Sequence, residues 1–210
     1  MVVAIDGPAG TGKSTVAHKV ADELKLTFLN SGSFYRALAL ALVDAGVDLS
    51  DENAVVEFSK KQKLDYVNSR LILNGKDVDD LLHQDKVDAV VSKVSSVVPL
   101  RHLVNDRMRE IVKSLDIICE GRDMTTVVFP NAEVKIYLDA SIDVQAQRRF
   151  DQGVSNLSLE EIKQAIIERD KMDRNKAEGS LKRAPDAFYI DTSRLTINDV
   201  CAIIINKIQQ

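Results

Sequence analysis

The stretch VVAIDGPAGTGKS, residues 2–14, decides the fold. Its first part, 2–5, is a short apolar run of the kind that forms a buried parallel strand. Residues 7–14 then match the phosphate-binding pattern G-x-x-x-x-G-K-[ST], in which a glycine-rich loop joins a strand to a helix. This order predicts a parallel α/β sheet with a phosphate site at the carboxyl end of its first strand.

The loop residues fit a nucleoside triphosphate better than they fit a plain helix cap. Glycines let the backbone curl with its N–H groups inward, and the helix N-terminus adds positive potential. Lys13 would reach the β- and γ-phosphates, and the Ser14 hydroxyl would be a ligand to Mg²⁺. Capping alone has no use for a Lys-Ser pair. We expect ATP to contact Gly7, Pro8, Ala9, Gly10, Thr11, Gly12, Lys13, Ser14 and Thr15.

Strand-like and helix-like segments alternate through most of the chain. Four more apolar runs suit buried strands, at 26–29, 117–119, 134–138 and 188–190. Helical spacing of apolar residues follows Ser14 and Pro99. A capping box at Ser158 and Glu161 begins another helix, and a final helix follows Thr196. The alternation predicts an α/β protein with a doubly wound parallel sheet of about five strands flanked by helices.

One segment, about 49–83, breaks the alternation. It is polar, and residues 64–67 and 71–73 flank a turn as in a small hairpin. We expect a small inserted subdomain that contains β-structure, within a single domain whose core is 1–48 and 84–210. An ordinary surface excursion is the alternative interpretation.

The composition is that of an ordinary globular protein, with 45% hydrophobic and 29% charged residues in a chain of 210. A net charge of −4 argues against nucleic-acid binding, which needs many cations on one face. No stretch approaches the roughly 20 apolar residues of a membrane span, so we expect a cytoplasmic protein without a membrane partner. We also expect a monomer. Cys119 and Cys201 lie in apolar runs and are expected to be buried free thiols. His18, His83 and His102 show no metal-ligand spacing.

Charged residues recur after the predicted strands. The segment SGSFYR at 31–36 follows the second strand, and EGRD at 120–123 follows the third. Because the carboxyl ends of parallel strands meet at one edge of a sheet, both segments are expected near the phosphate loop, where Arg36 can face phosphate. Residues 169–176 end a predicted helix with several more cations. The three clusters indicate phosphate chemistry.

Six segments form an ordered set: 7–14, Ser31-Gly32-x-x-Tyr35-Arg36, Gly121-Arg122-Asp123-Met124, 128–130, 135–141 and Arg169-Asp-x-x-Asp173. This set resembles the bacterial cytidylate kinases, and the resemblance covers nearly the whole chain. It implies transfer of the γ-phosphoryl group of ATP to CMP or dCMP. It implies that cytosine contacts Ser31, Arg101 and Asp123, that the ribose hydroxyls contact Ser92, Arg169 and Asp173, and that the acceptor phosphate contacts Arg36 and Arg122.

The resemblance also implies which cations are catalytic: Lys13, Arg36, Arg122 and Arg169. Arg148 and Arg149 resemble the family's lid cations, so we expect Arg148 to bind ATP and a short lid to span about 148–158. The inserted subdomain would bind the nucleoside monophosphate. Two residues depart from the family's pattern, Glu120 where Asp is usual and Lys176 where Arg is usual. Glu120 keeps the charge, whereas lysine lacks the bidentate geometry that arginine offers to phosphate.

Asp123 has the chemistry to read the base. An ionised carboxylate accepts a hydrogen bond from the amino group of cytosine but faces the carbonyl of uracil with repulsion. An unpaired buried polar group costs about 1 to 3 kcal/mol, which is enough for substantial selectivity. We therefore expect CMP and dCMP to be used well and UMP weakly.

Two other interpretations stay open. Another small-metabolite kinase of the same fold, acting on a different nucleotide, dephospho-coenzyme A or shikimate, would share the loop and differ at the acceptor site. A switch or assembly ATPase would need partner-contact or base-recognition motifs such as Asn-Lys-x-Asp, and the sequence contains none. Dependence of ATP consumption on CMP separates the three classes.

Overall fold

In a computed structural model of the chain, which describes residues 1–153 and 157–210, strands and helices alternate as the sequence predicts. The strands are β1 (Val2–Asp6), β2 (Thr27–Asn30), β3 (Leu64–Val67), β4 (Arg70–Leu73), β5 (Lys76–Asp77), β6 (Ile117–Gly121), β7 (Val134–Asp139) and β8 (Phe188–Asp191). The α-helices are α1 (Lys13–Leu24), α2 (Ser31–Asp44), α3 (Glu52–Lys60), α4 (Asp85–Val94), α5 (Val98–Val112), α6 (Ile142–Asp151), α7 (Leu159–Arg174) and α8 (Ile197–Ile208).

Five strands form one sheet in the order β2-β6-β1-β7-β8. Strand β1 lies between β6 and β7 and is parallel to both, and β8 is parallel to β7. Asp6, the last residue of β1, is in register with Gly121 on one side and Tyr137 on the other. The predicted parallel five-stranded sheet flanked by helices is confirmed. Since β1 and β6 are neighbours, the residues that follow them meet at one edge of the sheet.

The helices cover the sheet with the apolar faces that the sequence predicts. Val16 and Val20 on α1, and Val200 and Ile204 on α8, are buried in one cluster with the apolar residues of β1, β6, β7 and β8. Helix α7 begins at the predicted capping box, in which the Ser158 side chain accepts from the Glu161 backbone while the Glu161 side chain bonds back. A second capping box begins α8.

The chain forms two compact units. One comprises 1–28 and 116–210, and the other comprises 29–115. The second unit contains α2 to α5 and an antiparallel sheet of β3, β4 and β5. The predicted hairpin is confirmed, and its two turn residues, Asn68 and Ser69, both have positive φ angles of 51° and 59°. The predicted insertion at 49–83 lies inside this unit and also contains α3, and the predicted domain boundaries stay predictions.

Two smaller expectations concern thiols and the lid. Cys119 and Cys201 are buried free thiols, as predicted. Of the predicted lid at 148–158, residues 154–156 lie outside the described residues. Within the described part of the chain, no helix has the length and apolar character needed to cross a membrane.

Candidate active site

The loop between β1 and α1 depends on glycine at two positions. A Cβ atom at Gly7 would lie 2.0 Å from the backbone oxygen of Leu138 in β7, so a side chain fits there only if a central strand moves. Gly12 is the N-cap of α1 with a φ of 89°, in the left-handed region that favours glycine. Within the described residues, no side chain caps this helix, so the N–H groups of its first turn can bind an anion.

Lys13 is the buried cation of this loop. The residue is 5% exposed, and its ammonium group donates to the Pro8 carbonyl oxygen and, at 3.4 Å, to the Thr11 hydroxyl. Burial, and after it the charge of Arg122, lower the pKa of Lys13 to about 7, although carboxylates including Glu120 oppose the change. A buried lysine that a second cation also disfavours is suited to a polyanion, because the negative charge offsets both cations.

Ser14 and Glu120 form a hydrogen-bonded pair of oxygen groups next to the phosphate loop. The Ser14 hydroxyl donates to Glu120 Oε1 at 2.8 Å, and Glu120 lies buried in β6. A hydroxyl and a carboxylate are hard oxygen donors of the kind Mg²⁺ prefers, and Mg²⁺ takes its other oxygens from water and substrate phosphates. Among the described residues, no group of three or more His, Cys, Asp or Glu side chains could hold a metal alone. The pair therefore fits a Mg²⁺ ion that is shared with bound phosphate.

Arg122 and Asp173 meet from two different elements. Arg122 follows β6, and its Nε donates to Asp173 Oδ2 on α7 at 2.9 Å. Lys176 Nζ lies 2.8 Å from Asp173 Oδ1, so the second departure from the family's pattern contributes an ion pair here. Burial would raise the pKa of Asp173, but Arg122 and Lys176 outweigh it and leave this pKa below its ordinary value. Asp123, beside Arg122, is 3% exposed. The structure thus brings three predicted acceptor residues to one edge of the sheet.

Helices α6 and α7 supply further contacts at the phosphate loop. Asp170, next to Arg169 on α7, accepts a hydrogen bond from the backbone N–H of Ala9 at 3.1 Å. Arg148 on α6 donates to the hydroxyl of Thr192 at 2.9 Å and to its carbonyl oxygen at 2.7 Å. The Thr192 hydroxyl in turn contacts the loop backbone. Arg148, the predicted ATP ligand, is therefore connected to the loop through Thr192.

Of the five other predicted acceptor residues, Arg169 lies on α7 in the first unit. The remaining four lie in the second unit: Ser31, Arg36, Ser92 and Arg101. Ser31 is the buried first residue of α2, and Ser92 is exposed on α4. Arg36 Nη1 donates to the Leu82 carbonyl oxygen at 2.8 Å and to Asp88 Oδ1 at 2.6 Å. These contacts hold the guanidinium group in one place, and the acceptor roles of the residues stay predictions.

Arg101 is the most deeply buried arginine in this group. The residue is 4% exposed, and its guanidinium carbon lies 5.4 Å from the centroid of the Tyr35 ring. Its Nη1 also donates to the Ser95 carbonyl oxygen at 3.1 Å. Arginine is seldom buried without a specific partner, so this position is unlike that of a surface arginine.

Three site residues were not singled out from the sequence: Asp6, Gln145 and Thr192. Asp6 is fully buried and accepts hydrogen bonds from the turn that follows Asp123. Gln145 is buried beside the phosphate loop, where a Cβ atom on Gly10 would lie 3.0 Å from it. Asp6 could have been identified from the sequence, because it is a charged residue at the end of a predicted buried strand. Gln145 and Thr192 could not, because the residues around them match no motif and are typical of any helix or loop.

A parallel sheet whose first strand passes through a glycine-rich loop into a helix, with a buried lysine and a serine–carboxylate pair, defines a P-loop nucleotide-binding protein. A protein-family model described as cytidylate kinase matches residues 3–210. The chain belongs to the cytidylate kinase family, and it is therefore a nucleoside monophosphate kinase. The resemblance found in the sequence is confirmed.

Similar proteins agree along nearly the full length. A cytidylate kinase of Borrelia turicatae is 44% identical over 210 residues, which cover 98% of this chain and 95% of that protein. A cytidylate kinase of Thermodesulfovibrio yellowstonii is 41% identical over 217 residues, with 100% and 98% covered. A solved shikimate kinase of Bacteroides thetaiotaomicron aligns with a TM-score of 0.51 at 12% identity, covering 100% of this chain and 99% of that one, which shows a shared fold.

Proposed function

We propose that this chain transfers the γ-phosphoryl group of ATP to CMP or dCMP, giving ADP and CDP or dCDP. Its family membership supports the reaction. The observation that carries the chemistry is a buried lysine, Lys13, with the partly exposed Arg122 near enough that, after burial, its charge is the next cause of the lysine's lowered pKa. Transfer between two phosphates needs positioning and charge neutralisation rather than a covalent nucleophile, and these cations supply both.

The donor half of the proposal rests on the phosphate loop. The N–H groups at the start of α1 and the Lys13 ammonium group would hold the β- and γ-phosphates of ATP. Ser14 and Glu120 would hold Mg²⁺, with Arg148 contacting ATP from α6. When bound, Mg²⁺ neutralises charge on the phosphate oxygens and orients them.

The acceptor half rests on Arg122 and its partner. Asp173 takes the Nε of Arg122, so the two terminal nitrogens of the guanidinium group can still make a bidentate contact with the CMP phosphate. The buried Asp123 would accept from the amino group of cytosine. The remaining assignments are Ser31 and Arg101 to cytosine, Ser92, Arg169 and Asp173 to the ribose hydroxyls, and Arg36 to the acceptor phosphate, with Lys13, Arg36, Arg122 and Arg169 as the catalytic cations.

Production of ADP from ATP and Mg²⁺ tests the proposal, with CMP, dCMP, UMP, AMP, GMP or no acceptor in parallel reactions. The expected result is rapid turnover with CMP and dCMP, weak turnover with UMP and negligible turnover otherwise. An equal rate with UMP would contradict the role of Asp123, and a rate independent of any acceptor would contradict phosphoryl transfer to a nucleotide. Omission of Mg²⁺ should abolish turnover.

We further propose that the enzyme acts in the cytoplasm as a monomer. Catalysis needs no second chain in this scheme, because every assigned residue belongs to one chain. Sedimentation equilibrium at catalytic concentrations tests the monomer, and a dimer that loses activity on dilution would contradict it.

A further inference from the structure

Asp6 is a buried carboxylate that the proposed reaction does not use. It is the last residue of β1, directly before the phosphate loop, and it is 0% exposed. Its Oδ1 accepts from the backbone N–H of Met124 at 2.8 Å. Its Oδ2 accepts from the backbone N–H of Thr125 at 2.7 Å and from the Thr125 hydroxyl at 2.6 Å. All three donors belong to the turn that follows β6.

That turn is a short π-helical segment, Met124–Val128, and Asp6 acts as its cap. The residue before the segment is Asp123, which makes no capping hydrogen bond with its own side chain. The first N–H groups of a helical turn need acceptors, and here a carboxylate from a different strand provides them. The backbone that carries Arg122 and Asp123 is therefore fixed to the end of β1, where the phosphate loop begins.

Keeping this carboxylate buried is costly, which argues against a role in packing alone. Burial raises the pKa of Asp6 to about 6, and its hydrogen bonds with Thr125 and Met124 oppose the rise. The charge of Asp123 adds to the increase. An apolar side chain would avoid this cost but would leave two buried N–H groups without an acceptor.

We propose that Asp6 is a positioning residue for the acceptor nucleotide: through its three hydrogen bonds to Met124 and Thr125 it sets Arg122 and Asp123 relative to the phosphate loop. The inference rests on the proposed function for the identity of the acceptor. It predicts that removing one of these hydrogen bonds weakens CMP binding and base selectivity more than it weakens ATP binding, since the phosphate loop itself makes none of the three bonds.

Thr125→Val is the sharpest variant, because it removes one of the three bonds and leaves Asp6 and the loop intact. Thr126→Val is its matched control. Thr126 is the next residue of the same turn, and its hydroxyl oxygen is buried without a hydrogen-bond partner among the described residues. Thr125→Ser keeps the hydroxyl and serves as the rescue. Asp6→Asn removes the charge and places an N–H group against a donor, but this variant risks misfolding.

The measurement is KM for CMP, KM for ATP, kcat and the ratio of kcat/KM between CMP and UMP. Loss of a hydrogen bond to a charged group corresponds to about a tenfold effect, so Thr125→Val should raise KM for CMP and lower the CMP-to-UMP ratio by about that factor. KM for ATP should change less than about twofold, and Thr126→Val and Thr125→Ser should match the wild type within about twofold.

Two outcomes overturn the inference. Thr125→Val could leave all four quantities unchanged, or it could lower kcat equally for every acceptor with both KM values and the selectivity ratio intact, as a loss of correctly folded protein would. If the wild type instead preferred another monophosphate, the proposed function would fail on its own. In that case, the effect of Thr125→Val on KM for the preferred monophosphate, compared with its effect on KM for ATP, would still decide the role of Asp6.

Discussion

Nucleotide binding should draw a proton from solution at mildly alkaline pH, because Lys13 is partly neutral in the free protein. Burial, and next the charge of Arg122, lower the pKa of this lysine to about 7. A bound polyphosphate supplies the missing negative charge and returns the pKa toward the ordinary value for lysine. At pH 8 about 0.9 of the Lys13 side chains are neutral before binding, so ~0.9 protons should be taken up, against ~0.1 at pH 6.

Isothermal titration of the wild type with ADP and Mg²⁺ measures this uptake. The observed enthalpy in buffers of different ionisation enthalpy gives a slope equal to the number of protons bound. By linkage, the affinity for ADP should fall as pH rises above 7, by up to about tenfold per pH unit. A phosphate group that lost its own proton on binding would give a slope of the opposite sign. A zero slope at pH 8 would refute the reasoning that Lys13 is neutral in the free protein.

The same lysine affects the stability of the free protein, and the sign follows from its lowered pKa. Between about pH 7 and 10.5 the folded state binds fewer protons at Lys13 than the unfolded state does, so this group makes the free energy of unfolding rise with pH across that window. Its cost is fully present below pH 7. The cost disappears when phosphate binds, because the charged form is then the favoured one.

Three further predictions follow from single residues. Lys13→Met should raise the free energy of unfolding of the ligand-free protein at pH 6 by roughly 1 to 3 kcal/mol, seen as a melting temperature higher by a few degrees, and should abolish phosphoryl transfer. Arg122→Ala should lower kcat by about 10³-fold or more and change ATP affinity little, as steady-state kinetics with ATP titration would show. Gly7→Ala should cost ~3 kcal/mol or more in denaturant unfolding, because its Cβ meets the Leu138 carbonyl, whereas Gly46→Ala, with φ of 65° and open space, should cost only ~1 kcal/mol.

Much of the fold follows from local sequence. The strand at 2–6 and the helix that begins at Lys13 are encoded by an apolar run and a loop pattern that lie within a dozen residues of each other. The hairpin of β3 and β4 and the start of α7 are equally local, since a turn and a capping box fix them. These local patterns are reliable predictors because the residues of a turn or a capping box satisfy one another's backbone hydrogen bonds without distant partners.

Contacts between distant segments could not be predicted in the same way. The bond between Asp6 and Thr125 spans 119 positions, and the bond between Ala9 and Asp170 spans 161. Sequence spacing says only which strand ends share an edge, and it does not say which side chain crosses to which backbone group. Lys176 illustrates the limit, because its residue type raised a doubt about phosphate contact but gave no sign of its ion pair with Asp173.

The candidate site differs from an ordinary charge network because like charges act on its buried ionisable groups. Burial, and after it repulsion from Arg122, lower the pKa of Lys13, while burial, with a smaller contribution from Asp123, raises the pKa of Asp6. A structural charge network normally lowers the pKa of its acids and raises that of its bases, as Asp77 and Arg70 do on the surface of the second unit. Shifts in the opposite sense cost folding energy, and groups that carry them in a cleft are candidates for a functional site. Phosphates would neutralise the cations, and Mg²⁺ at Ser14 and Glu120 would balance the excess anionic charge. The electrostatics of the loop thus favour a ligand that combines several negative charges with a divalent metal, as the proposed Mg²⁺-bound ATP does.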